Sequence, residues 1–208
     1  MARWEPNARE RLMEAAMALF QERGYDQTTV EDIAARAGLT ERTFFRYFSD
    51  KREVLFSGAS QLSELVLGAI DAAAESMAPL EVVVAAFQAS SEMFEQRRAF
   101  ARRRQALIAR HAELQERELI KLSTMAVQIS AALRRRGVAK ASADLIAETG
   151  VTIFKNAFER WVNGDKKRDL AHHLGAAMNE LRAATGETPV RRSAPLNPRS
   201  GRPYRSPG

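Results

Sequence analysis

The stretch Thr28–Lys51, TTVEDIAARAGLTERTFFRYFSDK, constrains this chain more than any other. Two short runs with apolar periodicity flank a glycine. Thr28 and Glu31 stand three apart, the spacing of a capping box, in which a hydroxyl and a carboxylate satisfy unpaired N–H groups at a helix start. Val30, Ile33, Ala34 and Ala37 then recur at helical spacing and make one apolar face. Gly38 follows as a cap that needs positive φ. Leu39 points back into the core, and Thr40 is the next N-cap. Phe44 and Phe48, four apart, anchor the second helix on one face. Its other side carries Glu41, Arg42, Thr43, Phe45, Arg46 and Tyr47. That set suits a DNA duplex: arginines for guanine edges, hydroxyls and a phenol for phosphates, an aromatic for thymine methyls. Helix, glycine turn and helix at this spacing are a helix-turn-helix signature. A plain helical hairpin is the alternative, and an aromatic outward face would serve it poorly.

The pattern Leu39-Thr40-x-x-x-Phe44-Phe45-x-Tyr47-Phe48-x-x-Lys51 resembles the recognition helix of the tetracycline-repressor (TetR) family. The preceding Phe20-x-x-x-Gly24-Tyr25-x-x-Thr28-Thr29-Val30-x-x-Ile33-Ala34 fits the same family. Phe45 replaces a common tyrosine and Tyr47 a common histidine, so a contact from Phe45 would be apolar. The resemblance covers the first quarter of the chain; the remainder is similar in length and helical pattern. It implies an all-α fold of about nine helices, with a helix-turn-helix head over residues 1–50. A ligand-binding and dimerisation domain follows over 51–185. The implied partners are double-stranded DNA with a palindromic operator, a partly apolar small-molecule effector, and a second copy of the chain. Arg42 and Arg46 would read bases; Thr28, Thr29, Thr40, Tyr47 and Lys51 would sit on phosphates, with Glu41, Thr43 and Phe45 on the same surface.

Composition bounds the rest. With 208 residues, 45% apolar and 28% charged, the chain can bury a sizeable core. It has no cysteine, which removes disulfides and thiolate zinc sites and is compatible with the reducing cytoplasm. No apolar run is long enough to span a bilayer, and MARWEPNARERL has no secretory core. Net charge is +6, but residues 1–56 hold nine Lys and Arg against ten Asp and Glu. DNA affinity must therefore come from local placement of Arg42, Arg46, Lys51 and Arg52, from helix N-termini, and from pairing two heads. The near-neutral head leaves a second reading open, an all-α ligand-binding protein whose helix-turn-helix no longer reads DNA.

Along the chain, residues 1–7 read as an arm with Arg3 as a phosphate contact. A helix is expected over about Ala8–Glu22, closed by Gly24. Asp50 should cap a continuous helix through Leu55, Leu62, Leu65 and Ile70 to about Ser76, linking head to body. Pro79 at a helix start predicts a helix to about Glu95. Arg97, Arg98, Arg102, Arg103, Arg104 and Arg110 follow with Phe100, Leu107 and Ile108 interleaved. Their plain reading is a solvated face paired with Glu92, Glu95, Glu113, Glu116 and Glu118; at the inner end of a pocket one could clamp a carboxylate. Long helices are expected over Glu113–Arg136, with Leu119, Leu122, Met125, Ile129 and Leu133 as its stripe, and over Ala143–Val162, capped at Ser142. A last helix over Lys166–Ala184 carries the seam Leu170, Leu174, Ala177, Leu181 and Ala184. These last two resemble the pair through which family members dimerise. The Pro- and Arg-rich tail after Gly186 reads as disordered.

No nucleophile elbow, phosphate-binding glycine loop or zinc motif is present, and His172 and His173 point to different sides of a helix. No enzyme activity, cofactor or metal is expected. The resemblance implies an effector pocket, and Phe87, Met93, Phe94, Phe100, Met125, Phe154, Phe158 and Trp161 suit an adaptable apolar cavity. Gln88, Gln128, Thr149, Thr152 and Asn156 are polar groups that could orient a ligand, with Gln128 taken as a lining residue.

Overall fold

The computed structural model describes residues 8–186 apart from Gln96 and Lys166. The arm with Arg3, the tail after Gly186 and the helix start at Lys166 lie outside the described residues. Those described form helices and turns only. Three helices make the head: α1 Ala8–Glu22, α2 Val30–Arg36 and α3 Glu41–Tyr47. Leu12, Ala16, Leu19 and Phe20 of α1 pack on Ile33, Ala34, Phe44 and Phe48. Gly38 has φ +66 and lets the chain turn between α2 and α3. Arg11 of α1 donates to the Ala37 carbonyl at that turn and braces it from below.

The capping box starts one residue later than expected. Thr29 is the N-cap: its Oγ1 accepts from Asp32 N at 3.1 Å, and Asp32 Oδ2 accepts from Thr29 N at 3.0 Å. Thr28 and Glu31 have the same spacing, but Thr28 is buried and its hydroxyl donates to the Gly24 carbonyl at 2.8 Å.

The expected linking helix from Asp50 is broken. Asp50 Oδ1 does cap, accepting from Arg52 N and Glu53 N. What it caps is a 3-10 turn, Glu53–Phe56, and α4 Ala59–Ala72 begins after Gly58. Val54, Leu55 and Phe56 are all buried in the head core. Three consecutive side chains cannot share one face of an α-helix, so the tighter turn is what lets the chain leave one core and enter the other.

The body holds α5 Pro79–Ala89, α6 Glu92–Glu95, α7 Arg98–Ile108, α8 Ala112–Arg135, α9 Lys140–Asn163 and α10 Leu170–Ala184. The helix from Pro79 stops six residues early, because the Ser90 and Ser91 hydroxyls donate to the Ala86 and Gln88 carbonyls and close the last turn. α9 is central, packed on α5, α7, α8 and α10. Gly150 allows this, since a Cβ there would overlap Val83 of α5. α9 starts at Lys140 rather than Ala143 and has no side-chain cap from Ser142. α10 is capped by Asp169, whose Oδ1 accepts from His172 N at 2.7 Å. The expected seam on α10 turns inward: Leu170, Leu174 and Ala177 are buried in the body's own core, while Ala184 is exposed. Leu119, expected in the α8 stripe, is 59% exposed.

Candidate DNA-reading surface and effector cavity

On the head, the α3 N-cap is Thr40, whose Oγ1 accepts from Thr43 N at 3.2 Å. Phe44 is fully buried and lies 5.4 Å from the Phe48 ring, which seats the helix and turns the opposite side outward. Glu41, Arg42, Phe45 and Arg46 are exposed there. Phe45 is 54% exposed, with its edge held against Phe44. Arg46 folds over Tyr47, its guanidinium 4.9 Å from the ring centre and Nη2 3.2 Å from the phenol oxygen. Thr29, Thr40 and Thr43 remain near the two helix starts, where backbone N–H groups favour an anion.

Two expected phosphate contacts have other work. Thr28 is buried, so it does not reach the surface. Lys51 points back into the head. Its Nζ donates to the Tyr25 carbonyl at 2.9 Å and the Thr28 carbonyl at 3.1 Å, and it lies 4.3 Å over the Tyr25 ring. A lysine at a helix start is electrostatically unfavourable, but here it closes the α1–α2 turn.

A cavity of about 320 Å³ lies between head and body. Met93, Phe94, Phe100, Met125, Phe154 and Phe158, all named from sequence, line it with Leu62 and Leu122. Phe87 and Trp161 do not. Phe87 stacks behind Phe154 at 4.6 Å, and Trp161 is fully buried 5.5 Å from Phe158. Gln128 is also elsewhere, exposed and accepting from Ser63 Oγ. Gln88, Thr149 and Asn156 spend their side chains on carbonyls.

The rest of the lining adds residues not expected there from sequence to members of the arginine run. α1 contributes Arg9, Glu10 and Met13, and the 3-10 turn and its exit contribute Leu55, Phe56 and Ser57. The body contributes Arg97, Arg104, Gln105, Glu118, Lys121, Lys155 and Glu159. Several of these groups also tie head to body. Arg97 pairs with Glu10 at 2.7 Å. Arg9 donates to the Ser57 carbonyl. Arg104 Nε donates to the Leu55 carbonyl at 2.7 Å and Nη1 to Glu118 at 2.9 Å, with the guanidinium 4.8 Å over Phe56. Glu53 takes Arg117 and Lys121 at 2.6 and 2.9 Å. Further along the interface, the His111 ring lies 5.0 Å from Tyr25.

The arginine run therefore has mixed roles. Arg98 caps the end of α9 through the Trp161, Gly164 and Asp165 carbonyls. Of the five glutamates expected to pair with the run, Glu118 does so, whereas Glu95 accepts from Leu170 N. Arg102, Arg103 and Arg110 are exposed. Among the described residues no group of three or more His, Cys, Asp or Glu could hold a metal ion. No helix there is long and apolar enough to cross a membrane.

Residues 12–57 match the profile of bacterial regulatory proteins of the tetR family, and residues 77–186 match that of the MftR C-terminal domain. The HTH-type transcriptional regulator TcmR of Streptomyces glaucescens is 38% identical over 81 residues, 39% of this chain and 36% of that protein. The transcriptional regulator MftR of Mycobacterium tuberculosis is 26% identical over 175 residues, 83% of this chain and 88% of that one. Among solved structures, Thermus thermophilus FadR, a transcriptional repressor in complex with lauroyl-CoA, is similar with TM-score 0.53 and 27% identity, over 91% of this chain and 98% of that one.

Proposed function

The chain belongs to the TetR family of bacterial regulatory proteins, and from that premise we propose that it is a cytoplasmic homodimeric repressor that leaves a palindromic operator when a small molecule fills its cavity. Regulation of transcription by DNA binding in response to a ligand is the family's activity. Two heads related by a two-fold would place their α3 helices in successive major grooves, about 34–36 Å apart. Arg42 and Arg46 read base edges there. Thr29, Thr40, Thr43 and Tyr47 hold phosphates, and Phe45 makes an apolar contact.

The observation that carries the reading is the position of the cavity. Its walls include α1 and the 3-10 turn of the head as well as α7, α8 and α9 of the body. A molecule that fits it touches both parts at once. It can favour one head spacing over another only through a difference in affinity for the two, and contacts to the head supply such a difference. The lauroyl-CoA held by FadR, a relative of this shape, is a ligand with a long apolar acyl chain, which accords with the aromatic and Met walls.

For the dimer, α9 presents Leu145 at 70% exposure with Thr152 and Asn156 exposed on the same side. A second copy packed there through α9 and α10 would cover it in an isologous contact. The test is fluorescence anisotropy of purified protein with a labelled duplex from upstream of its own gene, across a salt series, with scrambled duplex as competitor. Tight, competitor-resistant binding with a steep salt slope supports a sequence-specific regulator. Weak binding, equal for both duplexes and for duplexes drawn from a random pool, contradicts it.

A further inference from the structure

Arg104 is the most enclosed of the cations lining the cavity. Its side chain is 16% exposed, against 31% for Lys121 and 55% for Arg97. It belongs to a wall whose charges do not balance: five cations face the cavity with three carboxylates. Among the three, Glu10 is engaged by Arg97 at the half-exposed mouth, and Glu159 is exposed. Glu118 alone faces Arg104. Burial lowers the Arg104 pKa, against the pull of Glu118, so the environment under-compensates the charge it encloses.

Arg104 also has donors to spare. A guanidinium carries five N–H groups in a planar fork. The hydrogen bonds of Arg104 use Nε, on the Leu55 carbonyl, and Nη1, on Glu118. The apolar part of the lining includes Phe56, Phe100, Leu122 and Met125, with Phe56 under the guanidinium. A cavity with a greasy body and one enclosed, partly unmet guanidinium selects its occupant by charge as well as by shape. The fork suits a carboxylate or phosphate oxygen pair better than an alcohol or an amine.

We infer that the effector of this protein is an amphiphilic acid, an apolar chain or ring system ending in a carboxylate or other oxyanion, and that Arg104 binds the anionic end. The inference rests on reading the cavity as the effector site. It also gives the charge a route to the head. Arg104 holds the carbonyl of Leu55 in the 3-10 turn, two residues before the Ser57 carbonyl that Arg9 of α1 holds. An oxyanion that draws Arg104 toward itself loosens that tie, whereas a neutral ligand of the same length leaves it in place.

The test reads binding on the protein alone. Trp4 and Trp161 are the two tryptophans of the chain. In a Trp4→Phe background, emission reports Trp161, which lies 5.5 Å from Phe158 and 6.3 Å from Phe94 of the cavity wall. The protein is titrated at neutral pH with decanoate, decan-1-ol and decyltrimethylammonium. Decanoate should bind about tenfold or more tighter than the alcohol, as one charge-assisted bidentate contact allows, with the ammonium weakest. Glu118→Gln removes the competing carboxylate and keeps the shape. It should tighten decanoate severalfold and leave the alcohol unchanged, which a merely structural pair would not do. The neutral double variant Arg104→Gln, Glu118→Gln should erase the preference. Equal binding of decanoate and the alcohol, a preference that survives the double variant, a weakening by Glu118→Gln, or no saturable change with decanoate overturns the proposal. Operator binding is read separately by anisotropy, so a failure of the regulator reading would leave this result standing and visible.

Discussion

At the scale of single residues, the surface of α3 divides into groups that hold the helix and groups that face outward, which the proposed function assigns to DNA. Phe44 and Phe48 are buried, and Arg42, Phe45 and Arg46 face out. Arg46 is pre-positioned by the Tyr47 ring, which limits the rotamers it must give up on binding. If it is bidentate to a guanine, Arg46→Ala should cost about 1–3 kcal/mol of specific affinity and relax preference at one operator position. Anisotropy over operator variants checks this; an unchanged preference would remove Arg46 as a base reader. Gly38 is structural by contrast. Its φ is +66, and a Cβ at that position would stand only 2.9 Å from Arg11 Nη2. Gly38→Ala should therefore destabilise the fold by roughly 1–2 kcal/mol, read by denaturant melts. His173 supplies a pH dependence. Burial, then the neighbouring His172 and the cations Arg168, Arg98 and Arg160, lower its pKa from 6.5. The unfolded chain therefore takes the proton first. Stability should fall as pH drops below about 6.5 and level off beneath the folded pKa, and His173→Gln should flatten that part of the profile.

At the scale of elements, local signals and long-range ones separate cleanly. The helix-turn-helix was legible because Gly38, Thr40 and the Phe44–Phe48 pair each act within one or two turns of the chain. The capping box was misplaced by one residue because Thr28/Glu31 and Thr29/Asp32 have identical spacing; what distinguishes them is that Thr28 is buried with its hydroxyl on the Gly24 carbonyl, a tertiary fact. Thr29→Ala should accordingly cost about 1 kcal/mol, read by denaturant melts. The break at Gly58 was not legible either, since Val54, Leu55 and Phe56 read as ordinary helix until two separate cores claim them and Leu62. The aromatic half of the cavity was visible as composition. Its polar half was legible only in part: the arginine run offers a clamp for a carboxylate, but not which residues join it, because Arg9, Arg104, Glu118 and Lys121 come together from three elements far apart in sequence. Phe100 and Arg104, four apart on α7, put an aromatic and a guanidinium of that run on one face.

At the scale of the whole molecule, the head and body are joined by polar ties, Glu10–Arg97, Leu55–Arg104–Glu118 and Glu53 with Arg117 and Lys121, by the Tyr25–His111 ring contact, and by Phe100, Leu107, Ile108 and Leu114 of α7 and α8, which pack into the head core. α9 threads the centre of the body, and the 3-10 turn carries the chain from the head core into the body core. In the proposed mechanism, a small displacement at the cavity would change head position without unfolding either core. It works as a regulator only if two heads are joined. Leu145→Asp on the outward face of α9 should therefore shift the purified protein toward monomer in sedimentation analysis and weaken operator binding in parallel, while the melting of each core changes little. The most direct test of the central claim is selection of duplexes from a random pool by the purified protein, followed by sequencing. A dimeric reader predicts enrichment of an inverted repeat with half-sites about one helical turn apart. A pool with no enriched motif, or with a single unrepeated half-site, would contradict it.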